Sequence, residues 1–326
     1  MMDEILKEAM RILQDIVVMD ENYIRKTLNR ESYIEAYLQD NRIDYHVFEF
    51  YVPAPDFVKY YLYVDGEQIR VLPDGLRSGK VEVSERVKVN LKDSVDLYYE
   101  YSYPNINFNS LCDGVSTPNF YNAPALAISK KDVPKLLNAK DVDAYLEVRV
   151  KDVKSKAFLL GNVEDPKRVG VVHYDALWTG AIDNSLSLAS VLAMAKHGQL
   201  DLKDNMVLLV GFTEVTFYWP EYWDYSFRRV IEEFDFIPQK ENIIIDSFGY
   251  RNTVLLDLRG RKPTTYAERV FYEAYKIFGE KIAQITISQE DLFPIYHSDI
   301  DTVDKVDLKE AEKGIGYIKE LLGKDD

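Results

Sequence analysis

The second half of the chain alternates short apolar runs with longer amphipathic stretches, and several of the apolar runs end in an ionisable side chain. Val169-Gly-Val-Val ends at His173, with Asp175 two residues on, and Ile243-Ile-Ile245 ends at Asp246. Apolar runs of this length suit strands buried on both faces, and the amphipathic stretches suit helices that cover them. The chain is therefore expected to fold as an α/β protein, a sheet flanked by helices. In such sheets the ligand crevice lies beyond the carboxyl ends of the strands. Side chains that close the runs are the first place to look for chemistry.

Candidate strands are 157–160, 169–172, 206–212, 242–246 and 283–287, and candidate helices are 184–196, 225–235, 265–278 and 307–322. The last helix carries Leu308, Ala311, Ile315, Ile318, Leu321 and Leu322 on one side. Near the start, residues 3–17 place Ile5, Leu6, Ala9, Ile12, Leu13, Ile16 and Val17 at helical spacing. A second helix is expected at 21–39 and a strand at 44–52. Between 64 and 150 the texture changes. Val81-Glu-Val-Ser and Val87-Lys-Val-Asn-Leu read as short strands, and Tyr98–Tyr103 is aromatic-rich. Residues 105–122, rich in Asn, Pro and Ser, read as loop, and a short helix is expected near 131–137. This divides the chain into a main domain, 1–63 and 151–326, and a β-rich insertion, 64–150.

At 326 residues the chain is long enough for one large domain with an insertion. Its net charge of -15 excludes a broad basic surface for nucleic acid. The single cysteine, Cys112, rules out an intrachain disulfide framework and a Cys-based zinc knuckle. The N-terminal residues read as an amphipathic helix rather than a signal peptide. No run of eighteen apolar residues occurs, so no membrane span is expected. A cytoplasmic location is the resulting expectation. There is no phosphate-binding Gly loop and no Gly-x-Ser-x-Gly motif.

The chain holds only four histidines. His173 and His297 fall in segments rich in acids, with Asp183 and Asp246 between them in sequence. His and Asp side chains at strand exits are how an α/β protein assembles a metal site. Asp175 is placed to orient His173 through the other ring nitrogen. Each residue has an ordinary reading as well. Asp183, for instance, opens a helix and suits an N-cap.

The ordered motifs His173-Tyr-Asp175, Gly180-Ala-Ile-Asp183-Asn184, Phe212-Thr-Glu214, Ile245-Asp246-Ser and His297-Ser-Asp-Ile-Asp301-Thr302 resemble those of the zinc-dependent exopeptidases. That family includes bacterial leucyl aminopeptidases, with glutaminyl cyclases and transferrin-receptor-like proteins as relatives. The resemblance covers 155–326 and extends loosely to the N-terminal helices. Ala123–Ser129 looks like the end of the protease-associated insertion of many members. The resemblance implies a three-layer αβα sandwich around a mixed sheet. It also implies two zinc ions, replaceable by cobalt or manganese, bridged by Asp183. One ion would be held also by His173 and Asp246, the other also by His297 and a glutamate. The activity implied is removal of N-terminal residues from short peptides, with oligomerisation left open.

One departure matters. The family carries two adjacent glutamates, a proton-shuttling base and a metal ligand, whereas this chain has Thr213-Glu214-Val215. We read Glu214 as the base, which puts Val215 where a ligand belongs. The opposite reading puts Glu214 on the metal and Thr213 in the place of the base. The expected consequences are completion of the second site by another acid such as Glu221, a single ion held by His173, Asp183 and Asp246, or loss of catalysis. The aromatic block 217–225 reads either as a substrate wall or as a core patch. Glutaminyl cyclisation and silent binding are the alternative functions.

Overall fold

The computed structural model describes residues 2–17, 22–81, 90–94 and 102–324. Two helices, α1 (Met2–Ile16) and α2 (Tyr23–Asp40), precede a long strand, β1 (Tyr45–Val64). Short strands follow: β2 (Glu67–Ile69), β3 (Val71–Pro73), β4 (Gly79–Lys80), β5 (Leu91–Asp93), β6 (Asn105–Phe108) and β7 (Ala125–Ile128). Helix α3 (Val133–Leu137) leads to β8 (Val142–Gly161), which returns alongside β1. The remainder runs β9 (Arg168–His173), α4 (Leu186–Lys196), β10 (Met206–Val210), α5 (Tyr225–Glu233), β11 (Glu241–Ile245) and β12 (Thr253–Asp257). It closes with α6 (Tyr266–Tyr275), β13 (Ile282–Ile287), α7 (Gln289–Leu292) and α8 (Leu308–Leu322).

The main sheet has the order β12-β13-β11-β9-β10-β8-β1-β2, with β4 also on β8. Its middle strands β13, β11, β9 and β10 are parallel, and the strands on either side join antiparallel. Successive residues of each central strand face opposite layers, as the pleat requires. Val172, Leu209, Ile243, Ile245 and Ile285 point to the layer that contains α1, α4 and α8. Val171, Leu208 and Ile244 point to the layer that contains Phe227 and Val230 of α5. Helix α4 is buried on every side from Leu186 to Ala195, which matches its apolar composition. The architecture is thus a mixed sheet between two helical layers.

Three expectations are corrected in extent. The strands read at 44–52 and 157–160 are the ends of β1 and β8, which pair along nearly their whole length with one irregularity between Phe57 and Lys59. Pro53 and Pro55 lie within β1, although proline cannot donate to a ladder. They are tolerated because β1 is paired on one side only in that stretch, β2 joining it only at 62–64. Residues 105–108, read as loop, form β6. β12 was not anticipated; it is an antiparallel edge strand, and its Val254–Asp257 are only partly buried. The strands read at 81–84 and 87–91, and much of the aromatic stretch 98–103, lie largely outside the described residues.

Strands β3, β7, β6 and β5 make a second, smaller sheet between the arms of the β1–β8 hairpin in sequence. The expected domain boundaries fall at the end of β1 and inside β8. Among the described residues no helix is long and apolar enough to cross a membrane.

α8 approaches the sheet where the backbone leaves β11. A Cβ at Gly314 would lie 2.2 Å from Cδ2 of Phe248, a fully buried ring two residues beyond Asp246. Gly314→Ala is therefore expected to destabilise the protein. Overpacking costs about 1–3 kcal/mol, which exceeds the ~1 kcal/mol that Ala gains over Gly in a helix. Urea denaturation measures the balance, and a variant more stable than wild type would contradict this packing.

Candidate metal centre

The parallel strands deliver their carboxyl ends to one rim. His173 is the last residue of β9, and Asp246 directly follows β11. Thr213 and Glu214 come just after β10, Asp183 lies in the turn leading into α4, and His297 lies between α7 and α8. Asn184 ties the two middle strands together at this rim. Its Nδ2 donates to the Ile245 carbonyl at 3.0 Å and the His173 carbonyl at 3.3 Å, and its Oδ1 accepts from Ser247 N at 3.2 Å.

The sequence-selected side chains converge. His173 Nε2 lies 3.4 Å from Asp183 Oδ1 and 3.3 Å from Asp246 Oδ1. His297 Nε2 lies 3.4 Å from Asp183 Oδ2 and 2.9 Å from Glu214 Oε2. The result is two three-residue groups, His173–Asp183–Asp246 and Asp183–Glu214–His297, each with donor atoms within 4.8 Å of one another. Asp183 gives one oxygen to each group.

The donors fit divalent metal ions. Each group offers one imidazole nitrogen and two carboxylates, a borderline N/O set that suits zinc. Buried polar atoms are normally satisfied, yet among the described residues Glu214 Oε1 has no hydrogen-bond partner, and His297 Nε2 meets the Asp183 and Glu214 carboxylates as ion pairs without hydrogen-bond geometry. Electrostatics point the same way. Burial opposes charge on His173, but Asp175, Asp183 and Asp246 outweigh it and hold the imidazole well above its usual range. Burial likewise opposes charge on His297, and Glu214 and Asp183 reverse it, pushing the ring up to about 10. Glu214 is raised, chiefly by burial. Asp183 is lowered, because its contacts with the two imidazoles overcome burial. The pocket is short of positive charge, and the histidines supply it.

Surrounding residues fix these donors. Asp175 accepts from Tyr23 Oη at 2.5 Å, Thr213 N at 2.8 Å, Thr213 Oγ1 at 3.0 Å and Glu214 N at 2.9 Å. Its carboxylate also lies 3.5 Å from His173 Nδ1. Asp301 accepts from Ile182 N at 2.8 Å and Asp183 N at 3.0 Å, which sets the loop that presents the shared carboxylate. Burial pushes Asp301 up to about 7. Tyr275 Oη donates to Asp246 Oδ2 at 2.5 Å. Helix α2 supplies Lys26 Nζ to the Trp178 carbonyl and Arg30 to the Tyr174 carbonyl at 3.1 Å. Sequence reasoning missed Tyr23, Lys26, Arg30 and Tyr275. Lys26 and Arg30 stand four apart on one face of α2, a spacing that fits a solvated face equally well, so the sequence carried no signal for them.

The Thr213–Val215 turn departs from the preferred sequence reading. Val215 is fully buried in the apolar cluster on the α5 side of the sheet. Thr213 and Glu214 face the cavity, and Glu214 stands within the second donor group. Glu221 is not in either group; it lies 3.3 Å from Arg228. The centre forms the floor of a cavity of about 320 Å³. Phe120, Tyr222, Phe271, Phe293 and Tyr296 line its walls, so part of the 217–225 block does face it.

No protein-family model matches the chain, and no curated protein matches it. Solved structures do. A zinc aminopeptidase from Bacillus subtilis is 16% identical with a TM-score of 0.65, over 99% of this chain and 95% of that one. A peptidase M28 precursor from Shewanella amazonensis is 14% identical with a TM-score of 0.63, over 98% and 94%. A glutaminyl cyclase from Tannerella forsythia is 9% identical with a TM-score of 0.51, over 98% and 99%. At these identities the likeness establishes the fold.

Metal ligands must be deprotonated, so binding to raised imidazoles releases protons. Zinc affinity is therefore expected to fall on going from pH 8 to pH 6, by about tenfold per pH unit for each proton released. Calorimetry in buffers of different ionisation enthalpy counts those protons. Affinity independent of pH would show that His173 and His297 are not ligands.

Proposed function

We propose that this chain is a metal-dependent aminopeptidase that removes the N-terminal residue of short peptides, using zinc or a similar ion. The observation that carries this reading is the shared position of Asp183, with one oxygen toward His173 and the other toward His297. His173, Asp183 and Asp246 would hold one ion, and Asp183, Glu214 and His297 a second. A pair of such ions, when bound, polarises a carbonyl and acidifies water near neutral pH. The aromatic wall supports acceptance of an apolar side chain and exclusion of water.

This reading takes Glu214 as a ligand, which the geometry favours over a role as base. Thr213 then stands where the first glutamate of the Glu-Glu pair would stand. Its hydroxyl is already donated to Asp175, and a threonine hydroxyl is a poor proton acceptor. Asp175 is equally unsuited, since four donors converge on its carboxylate. Apart from the proposed ligands, Glu273 is the acid on the cavity lining among the described residues, and it pairs with Lys276 at 2.6 Å. Proton transfer from water to the leaving amine is the step this chain is least equipped to assist.

Slow hydrolysis of aminoacyl chromogenic substrates is expected with zinc, cobalt or manganese. Thr213→Glu should raise kcat by about 10²–10⁴-fold, the usual scale of general-base catalysis. Val215→Glu should instead destabilise the protein, because it puts a carboxylate into apolar core. If wild type and Thr213→Glu both bind two ions and neither turns over any substrate, the aminopeptidase reading fails and a silent binding protein on the same fold is left. Pyroglutamate formation from Gln-terminal peptides, seen by mass spectrometry, would favour the cyclase.

A further inference from the structure

We infer that residues 109–117 of the insertion are the positioning element for the second metal histidine, His297. The inference rests on the metal-binding reading above. His297 has φ +46, a left-handed backbone conformation that a non-glycine residue rarely adopts without support from its surroundings. Local bonds shape the turn around it: Tyr296 N donates to the Leu292 carbonyl at 2.9 Å and Ser298 Oγ to the Ile295 carbonyl at 2.5 Å. The Tyr296 ring stacks on the imidazole at 3.7 Å between centroids. Stacking fixes the plane of a ring but not which nitrogen carries the proton.

That choice falls to the insertion. Thr117 N donates to the His297 carbonyl at 2.9 Å, and His297 Nδ1 lies 3.2 Å from the Thr117 carbonyl. A carbonyl only accepts, so Nδ1 keeps its proton whatever the charge of the ring, and Nε2, beside Asp183 and Glu214, is the nitrogen that would give up its proton to bind a metal ion. The preceding residues extend the clamp. Ser116 Oγ donates to the Tyr296 carbonyl at 2.6 Å, and Asn109 Nδ2 donates to the Phe293 carbonyl at 2.9 Å and to Ser116 Oγ at 3.1 Å. Asp299 N donates to the Val115 carbonyl at 3.1 Å. Trp178 Nε1 donates to Thr117 Oγ1 at 2.8 Å, which locks the clamp to the loop between β9 and α4.

Among the described residues, His173 has no such link. Its Nδ1 faces the carbonyl of Asp175 at 3.2 Å, two residues along its own chain. The two ions would therefore depend on the insertion unequally. The fold of the sheet holds one histidine, and the insertion holds the other.

The test titrates metal-stripped full-length protein with zinc and records the absorption of the cobalt(II) form. Wild type should take two equivalents. Ser116→Ala should weaken one equivalent by about tenfold and leave the other unchanged. Ser116→Thr, which keeps the hydroxyl, should restore it. The residual cobalt spectrum should match that of His297→Ala and differ from that of His173→Ala. Circular dichroism checks that each variant is folded. Equal weakening of both equivalents, or no weakening in folded variants, overturns the inference while leaving the metal centre standing. A wild-type protein that binds no zinc overturns both.

Discussion

The burial of carboxylates at one rim of the sheet is the constraint from which the rest of the site follows. Asp175, Asp183, Glu214 and Asp301 are all largely removed from water, with Asp246 beside them. Burying one charge without a partner is unfavourable, and burying several of the same sign is worse. The fold handles them in two ways. Asp175 and Asp301 are surrounded by protein donors, four on the first and two backbone amides on the second. Asp183 and Glu214 meet imidazoles instead, in positions that a metal ion would fit. The first pair is held by protein donors, and the second lies in the two groups whose donors suit a cation.

Helix α2 is shaped by the same need. A helix that carries Lys26, Arg30 and Glu31 on a buried side would be unstable against an apolar surface. Here it lies over the irregular loop after β9, whose carbonyls need donors. Lys26 and Arg30 donate to the carbonyls of Trp178, Tyr174 and Thr179. Burial lowers the Arg30 guanidinium to about 10, opposed by Asp175, Asp301, Glu214 and Asp183. It stays charged at neutral pH and supplies these acids with a permanent positive charge. Glu31 completes the joint by accepting from Tyr174 Oη at 3.0 Å and Lys156 N at 2.9 Å.

What could be read in advance reflects how local each signal is. His173 and Asp246 were legible because each ends an apolar run, so strand periodicity alone put them at the rim. Asp183 and His297 were legible through the order of short motifs. The cradle around them was not, because Tyr23 lies 152 residues from Asp175 and Tyr275 lies 29 from Asp246. Nothing in the spacing of α2 distinguishes a donor to a distant loop from a residue on a solvated face. The place of Val215 was also hidden. Which of Thr213, Glu214 and Val215 reaches the cavity depends on backbone angles after β10 such as φ +56 at Phe212.

Thr213 now has a physical account on both sides of the ledger of charge. A glutamate there would be a further acid in a pocket where burial already raises Glu214 and Asp301. Threonine removes that repulsion and adds a donor, its hydroxyl completing the set around Asp175. The turn that carries Glu214 is thereby anchored through both its amides and a side chain. The same substitution withdraws the group best suited to carry a proton between water and a leaving amine. On the proposed aminopeptidase reading, a site built this way would hold cations firmly and turn over slowly, because the residue that steadies the ligands occupies the place from which a base would act.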